Sequence, residues 1–310
     1  MLASALILAS ALSVLQCPPI VIGTPDNFVF DITSPTGAIG TGTDAVFAGF
    51  GHLTVNGHIY TAMECFTLVD NPGGQTVHTP PMITSNGLVI KRSIYVPLRP
   101  GANYARYFDR IDNPTAEVVT AVVEIRGALG QPDSASAIVR QRPGWCIFAT
   151  PNADKPLIGW VYTRGLPISP APAAADAYSL TYVVTLKPNS STAVVNFIVQ
   201  ARPRPAEPTG GLQIAEDDPL DELSQQLDKL QKSPDYSNLS SEEQRIINNF
   251  FIDSDVNMDG RVNIIDLIII RNDLNKTPDS ASTPRSDVNH DLRINIIDLI
   301  ITRNDLGWPY

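Results

Sequence analysis

The chain contains 310 residues, of which 43% are hydrophobic and 17% are charged, with 26 prolines and 20 glycines. The length is sufficient for two domains, and the apolar fraction excludes a wholly disordered chain. The net charge of −10 argues against nucleic acid as a partner, since phosphate binding requires a basic surface. The acidic excess is confined to residues 206–310, which contain 20 Asp/Glu and 9 Lys/Arg. Such a segment is either a solvated tail or a set of carboxylates that bind cations.

An uncharged apolar stretch, residues 1–15, opens the chain. It has the length of the hydrophobic region of a signal peptide and is too short to span a bilayer as a helix. We therefore predict a signal peptide over residues 1–17, a secreted or cell-surface protein, and no transmembrane helix; the alternative is a buried N-terminal strand. In an exported protein Cys65 and Cys146 could form a disulfide, and the alternative is two separate buried thiols.

Residues 18–203 have the pattern of an antiparallel β-sandwich. Asn56-Gly57 lies between two alternating runs, which is a strong hairpin signal, and Asn86-Gly87 repeats it. Further short runs rich in Val and Thr are separated by turn residues, and no helical period of useful length occurs. The segment 104–130 resembles the strand–turn–strand unit of immunoglobulin-like sandwiches in exported bacterial proteins, which supports the fold class and implies no substrate.

Residues 204–238 have the composition of a linker that contains one short amphipathic helix. Asp218-Pro219 is a helix start, and the leucines that follow share one face. Because this pattern lasts less than two heptads, we expect the helix to dock on a neighbouring domain rather than form a coiled coil. A second helix is predicted from Ser240, where Glu243 completes a capping box.

Residues 254–274 and 286–306 are two copies of one unit, with 17 of 21 positions identical at a spacing of 32. In each copy, oxygen-bearing side chains occupy positions 1, 3, 5, 9 and 12 of a twelve-residue loop, and the backbone carbonyl of position 7 can add a ligand. This donor set suits Ca²⁺ better than Mg²⁺, which keeps its waters and demands a stricter octahedron. The predicted ligands are Asp255, Asn257, Asp259, Arg261, Asn263 and Asp266 in the first loop, and Asp287, Asn289, Asp291, Arg293, Asn295 and Asp298 in the second.

The two loops differ at position 6, where the chain needs a left-handed turn. Gly260 adopts that conformation readily, whereas a branched residue such as Leu292 loses about 1–2 kcal/mol there. We therefore predict two calcium sites, of which the second is weaker. The alternative is a pair of Asn/Asp-rich turns that cap two helices without a metal.

The pattern Asp-Val-Asn-x-Asp-Gly-x-Val-Asn-x-x-Asp-Leu, which occurs twice in nearly identical form, resembles the type I dockerin family over residues 253–307. The resemblance implies paired calcium-loop-and-helix units that bind a cohesin module and attach secreted proteins, often polysaccharide-degrading enzymes, to a scaffold or cell surface. It also implies that partner recognition uses Ile264, Ile265, Arg271 and Asn272, with Ile296, Ile297, Arg303 and Asn304 in the second copy. The Ile–Ile pairs depart from the small or hydroxyl residues of cellulosomal dockerins, and their alternative role is packing between the two helices.

We therefore predict a mainly β protein: an antiparallel β-sandwich followed by a small all-α, dockerin-like calcium-binding module at residues 239–310. The sandwich is expected to be a binding or structural domain that the module docks to a cohesin-type partner. The alternative is a carbohydrate-active hydrolase that carries a dockerin.

The β domain contains no catalytic motif such as Gly-x-Ser-x-Gly or His-Glu-x-x-His. His52 and His58 flank a hairpin turn and could face each other, but a metal site would need a third ligand. A polysaccharide could stack on four aromatic residues if they share an exposed face, although such residues more often form core; they are Trp145, Trp160, Tyr162 and Tyr178. The carboxylates available for glycoside hydrolysis are no more numerous than in any β domain; they are Asp31, Glu64, Asp70, Asp109, Asp112 and Glu124.

Overall fold

The structure is a computed structural model that describes residues 17–130, 137–150, 152, 154–164, 169–174, 177–203, 218–250, 254–257, 261–289 and 291–307. The described strands are β1 (Ile20–Gly23), β2 (Val29–Thr33), β3 (Ala38–Ile39), β4 (Phe47–Val55), β5 (His58–Ile59), β6 (Thr67–Asn71), β7 (Gly74–His78), β8 (Met82–Ile83), β9 (Val89–Pro97), β10 (Tyr104–Asn113), β11 (Val119–Leu129), β12 (Ala137–Arg142), β13 (Trp145–Ala149), β14 (Pro156–Val161), β15 (Ala171–Ala174), β16 (Ala177–Leu186) and β17 (Ser190–Pro203). The helices are α1 (Pro219–Lys232), α2 (Ser241–Arg245), α3 (Ile264–Asp273) and α4 (Ile296–Asn304).

The strands form two antiparallel sheets, which confirms the predicted sandwich. Sheet A has the order β1-β2-β3-β4-β11-β16-β15, and β5 pairs with β4. Sheet B has the order β12-β13-β14-β17-β10-β9-β7-β6, and β8 pairs with β9. The Asn56-Gly57 hairpin joins β4 to β5, with φ of 49° and 78° at its two turn residues, as a two-residue turn of this kind requires.

The main core lies between the two sheets and follows the two-residue period of the strands. In β11, Ala121, Val123 and Ile125 are buried, whereas Val122 between them is exposed. Aromatic side chains from both sheets meet in this layer, as where the Phe50 ring lies 5.1 Å from that of Trp160 in an edge-to-face arrangement.

Sheet B has a second apolar layer on its outer face, which is covered by α1. The buried leucines of α1, Leu223, Leu227 and Leu230, join a cluster with Trp145 and other residues of sheet B. Asp218 caps the helix by accepting a hydrogen bond from Leu220 N, at the start that the sequence indicates. Gly159 allows the close approach, because a Cβ there would lie 2.5 Å from a Leu227 methyl carbon.

The segment 235–250 continues along the same face of sheet B. Ser240 and Glu243 form the expected capping box, but α2 ends at Arg245 because the following backbone pairs with β17: Ala193 N donates to the carbonyl of Ile246 at 2.6 Å. The sequence interpretation includes residues 239–250 in the C-terminal module, whereas Ile247 and Phe250 are buried in the cluster on sheet B. These apolar side chains are too few to form a core of their own, and they are buried against sheet B instead.

The disulfide that the sequence offered, Cys65 with Cys146, is wrong. Cys65 is bonded to Cys17, with a Cα–Cα distance of 5.5 Å, and Cys146 is a buried thiol. Cys146 lies inside the main core on β13, where burial raises the pKa of the thiol. The disulfide instead ties the residues before β1 to the loop before β6.

Candidate functional site

The duplicated unit folds as two loop-and-helix copies with the same local chemistry. Asn263 caps α3 by accepting a hydrogen bond from Ile265 N at 2.7 Å, and Asn295 caps α4 by accepting one from Ile297 N at 2.8 Å. Asp266 and Asp298 complete the two capping boxes by accepting from the backbone N–H of these same asparagines. Positions 9 and 12 of each loop therefore fix the start of the helix that follows.

Each loop is held by the chain that follows the helix of the other copy. Gly307 N, after α4, donates to the carbonyl of Val262 at 2.8 Å, and Asn275 N, after α3, donates to the carbonyl of Ile294 at 2.8 Å. The end of each helix therefore lies beside the start of the other, so α3 and α4 run antiparallel about a pseudo-two-fold axis.

Side chains reinforce this exchange between the copies. Ser254 Oγ, before the first loop, donates to Asp305 at 2.6 Å, and Ser286 Oγ, before the second, donates to Asp273 at 3.1 Å. Burial alone would raise the pKa of the Asp273 carboxyl, but hydrogen bonds from Lys276, Ser282 and Thr283 outweigh burial and lower it. The carboxylate form of Asp273 is therefore the one that the fold stabilises.

The second loop brings its first three predicted ligands together. Asp291 N donates to Asp287 Oδ1 at 3.1 Å and to Asn289 Oδ1 at 3.1 Å, and Asn289 Nδ2 donates to Asp291 Oδ2 at 3.0 Å. The carbonyl of Arg293, at position 7, accepts a hydrogen bond from Asn295 Nδ2 at 3.3 Å.

The carboxylate at position 12 of the second loop accepts hydrogen bonds from backbone N–H groups. Asp298 Oδ1 accepts from Val288 N and Asn289 N, at 2.8 and 3.2 Å. The carboxylate at the end of the loop thus hydrogen-bonds to the backbone beside position 1.

The first loop is described only in part. Asp266 repeats the role of Asp298, since its Oδ1 accepts from Val256 N and Asn257 N at 2.9 and 3.2 Å. Asp255 is buried at position 1, whereas Asp259 and Gly260 lie outside the described residues. Within the described ranges, no three His, Cys, Asp or Glu side chains are arranged to hold a metal ion.

The donor set nevertheless fits a hard cation. Asp266, Asp287 and Asp298 are almost fully buried, and none forms an ion pair with a basic side chain among the residues that the structure describes. Buried carboxylates normally require a counter-charge or a metal. The atoms that the second loop offers as metal ligands are all oxygen atoms, and Ca²⁺ prefers oxygen ligands.

Position 6 of the second loop has the left-handed backbone that the spacing predicts. Leu292 adopts φ of 67°, and its N–H donates to Asp287 Oδ2 at 2.9 Å. Its side chain is 70% exposed, so it gains little from burial to offset the backbone strain.

A groove of about 320 Å³ runs between α3 and α4 on the surface of the module. It is lined by Ile264, Leu267, Ile268 and Arg271 from α3, and by Ile296, Leu299, Ile300 and Arg303 from α4. These residues follow the helical spacing i, i+3, i+4, i+7, which places them on one face of each helix.

The structure brings together half of the residues to which the family resemblance assigns partner recognition. Ile264, Arg271, Ile296 and Arg303 line the groove, whereas Ile265, Asn272, Ile297 and Asn304 are exposed outside it. The alternative of helix–helix packing does not hold for the Ile–Ile pairs, since Ile264 and Ile296 are 63% and 61% exposed. The core of the module consists instead of Val256, Ile270, Val288 and Ile294.

Four further lining residues were not assigned from sequence: Leu267, Ile268, Leu299 and Ile300. The sequence pattern is sufficient to identify them, because the helical period that starts at Ile264 passes through Leu267, Ile268 and Arg271.

The candidates in the β domain have structural partners. Trp145, Trp160 and Tyr162 are buried and Tyr178 packs against the core, so they form no exposed platform. His52 and His58 do not face each other, because His58 is opposite Val55 and His52 is opposite Arg126.

The candidate carboxylates of the β domain, apart from the exposed Glu64, form ion pairs or hydrogen bonds within the domain. Asp109 is fully buried and paired with Arg92, with an Nε–Oδ1 distance of 2.6 Å. Asp112 pairs with Lys91 and Arg110, and Glu124 pairs with Arg126. Asp31 accepts backbone hydrogen bonds from Thr41 and Gly42, Asp70 accepts from Gln75, and Glu64 is exposed.

Comparison with known proteins places a family on the C-terminal part of the chain. Residues 253–307 match the model of the dockerin type I domain. No curated protein matches the chain. Among the described residues, no helix is long and apolar enough to cross a membrane.

Solved structures resemble the chain only distantly. A protein described as a kojibiose phosphorylase from human microbiome is 12% identical, with 72% of this chain and 28% of that chain covered and a TM-score of 0.41. A heparan sulfate lyase HepC mutant from Pedobacter heparinus is 11% identical, with 62% and 36% covered and a TM-score of 0.40. A galactose mutarotase related enzyme from Lactobacillus acidophilus is 9% identical, with 59% and 97% covered and a TM-score of 0.36. The chain thus spans about a third of the first two proteins, and likenesses this weak carry no argument about its activity.

Proposed function

We propose that residues 253–307, a type I dockerin domain, attach the β-sandwich to a cohesin-type module of a partner protein in a calcium-dependent manner. The observation that carries this proposal is the groove between α3 and α4. Its isoleucines are exposed in a module whose own core is small, and an exposed apolar patch of this kind marks a protein-interaction site.

Calcium has a structural role in this proposal. The predicted ligand sets are those of the two loops, Asp255 to Asp266 and Asp287 to Asp298. Two calcium ions neutralise the buried carboxylates and order the loops. Each loop is hydrogen-bonded to the chain that follows the opposite helix, so the ordered loops also fix α3 and α4 relative to each other. The second site is the weaker one, since Leu292 is strained in its left-handed conformation.

We place the protein outside the cytoplasm, with residues 1–17 as the region that contains the export signal. The disulfide between Cys17 and Cys65 supports an oxidising compartment. Because Cys17 is part of this bond, cleavage of a signal peptide would fall before it. The β-sandwich is the cargo, and among its described residues Val122 and Val183 are exposed on sheet A.

The docking proposal is tested by measuring binding of the full chain to immobilised cohesin modules, in Ca²⁺ and in EDTA. We expect binding in Ca²⁺ alone, and its loss in the double variant Ile268→Asp, Ile300→Asp. The matched control is Val183→Asp, which introduces the same charge at an exposed position of β16 in the sandwich. Equal binding in EDTA, or full binding by the groove variant, would refute the proposal.

A further inference from the structure

The second calcium loop is held at two points by the chain that follows the helix of the first copy. Ser286, which immediately precedes position 1 of the loop, donates its hydroxyl to Asp273 at 3.1 Å. At position 8, Ile294 accepts a backbone hydrogen bond from Asn275 N at 2.8 Å and donates one to the carbonyl of Lys276 at 2.9 Å. The segment after α3 therefore brackets the loop of the second copy.

The first loop is held in the same way by the chain that follows α4. Ser254, before position 1, donates its hydroxyl to Asp305 at 2.6 Å. The carbonyl of Val262, at position 8, accepts a hydrogen bond from Gly307 N at 2.8 Å. Asp305 and Asp273 occupy equivalent places in the two copies, because they are 32 residues apart. The exchange is therefore reciprocal, and each copy supplies one aspartate to the loop of the other.

The hydroxyl groups of the two serines depend on these aspartates, because Ser254 and Ser286 are fully buried. A buried hydroxyl that loses its hydrogen-bond acceptor is costly, and the chain around it must shift to find another. Each serine is one peptide unit from a predicted calcium ligand, Asp255 in the first loop and Asp287 in the second. A shift of either serine would therefore displace the first ligand of its loop.

We infer that Asp305 positions the first loop for calcium and that Asp273 positions the second, so that the affinity of each loop depends on a carboxylate of the other copy. This inference rests on the calcium-binding role proposed above and adds two residues that the predicted ligand sets do not contain. A loop that is already ordered loses less conformational freedom when the ion binds. Hydrogen-bonding partners outside the ligand shell typically change metal affinity by about 10- to 100-fold.

The two aspartates differ in what else they hold, which decides the choice of variants. Asp273 also accepts hydrogen bonds from Lys276, Ser282 and Thr283 in the connection between the copies. Its removal would disturb that connection as well as the second loop. The described hydrogen bond to the Asp305 side chain comes from Ser254. Replacement of Asp305 is therefore the more specific test.

The test is a calorimetric calcium titration of the full chain in two backgrounds: Asp287→Ala, in which the first loop binds the ion, and Asp255→Ala, in which the second loop does. In the first background, Asp305→Ala should lower the calcium affinity about tenfold, whereas Asp305→Asn, which keeps an acceptor oxygen, should largely restore it. In the second background, Asp305→Ala should leave the affinity unchanged. The matched control is Asp279→Ala, which removes an exposed carboxylate from the same module and should leave both loops unchanged.

Two further variants test the reciprocal pairing. Asp273→Ala should have the opposite preference, and weaken the second loop while the first is unchanged. Ser254→Ala should weaken the first loop alone. Combined with Asp305→Ala, it should cost no more affinity than either change separately, because both remove the same hydrogen bond.

Equal weakening of both loops by Asp305→Ala would overturn the inference, because the residue would then stabilise the module without positioning a particular loop. An unchanged first loop would overturn it too, and either result would leave calcium-dependent docking intact. If Asp305→Ala fails to fold, Ser254→Ala decides the question by the same two criteria. A wild-type chain that binds no calcium would overturn both the inference and the proposed function.

Discussion

Replacement of Leu292 by glycine should strengthen calcium binding at the second loop. The backbone of Leu292 is left-handed, with φ of 67°, and such a conformation costs a residue that has a Cβ atom about 1–2 kcal/mol. Glycine loses about 0.5–1 kcal/mol more backbone entropy on folding, so the net gain is about 0.5–1 kcal/mol. The Leu292 side chain is 70% exposed, so little apolar burial is lost.

Because ordering of the loop is coupled to metal binding, this gain corresponds to a calcium affinity about two- to fivefold higher at the second site. Calorimetric titration of the full chain measures it directly. Leu292→Ala is the matched control, since it removes the same exposed methyl groups but keeps the Cβ atom that causes the strain. An equal gain in the alanine and glycine variants would refute the argument, because the effect would then come from the side chain and not from the backbone.

Three further changes test the packing of the module and its attachment. Thr302→Val should raise the free energy of unfolding by about 1 kcal/mol, because Thr302 Oγ1 is buried without a hydrogen-bond partner among the described residues; urea unfolding measures this, and a loss of stability would contradict it. Asp273→Asn should destabilise the chain at pH 7 and reduce its acid sensitivity. The folded pKa of Asp273 is lowered, so its contribution is present above the ordinary carboxyl pKa of about 4 and is lost as the pH falls below it. Unfolding curves at pH 3–7 that shift in parallel for wild type and variant would contradict this assignment. Asn249→Ala should cost about 2–4 kcal/mol, since its side chain accepts from Val195 N and donates to the carbonyls of Val195 and Tyr162; thermal unfolding with no change in midpoint would contradict it.

The parts of this structure that local chemistry determines could be predicted from the sequence. The spacing of Asp and Asn in the repeat indicates a loop followed by a helix, and both helices follow their loops directly. The asparagine at position 9, predicted as a calcium ligand, caps each helix. The left-handed turn at Leu292 follows from its place at position 6. The Ser240–Glu243 capping box is likewise readable from two residues three positions apart.

The parts that depend on distant contacts could not be predicted in this way. Three cysteines allow three pairings, and only the fold brings Cys17 to Cys65. In the sequence, the spacing of Ile247 and Phe250 is that of one face of a helix. In the structure, both side chains are buried against the outer face of sheet B, a contact that local sequence does not indicate. The groove could be predicted only in part. The helical period identifies the residues that line it, but not the antiparallel arrangement of α3 and α4 that places an arginine at each end.

A calorimetric calcium titration of the full chain, with circular dichroism recorded in parallel, shows directly whether calcium orders the C-terminal module. We expect two binding events and a gain of helix, with Asp287→Ala removing the weaker event and leaving the stronger one. Absence of binding, or binding that leaves the circular dichroism spectrum unchanged, would contradict the claim that calcium orders a docking module at residues 253–307.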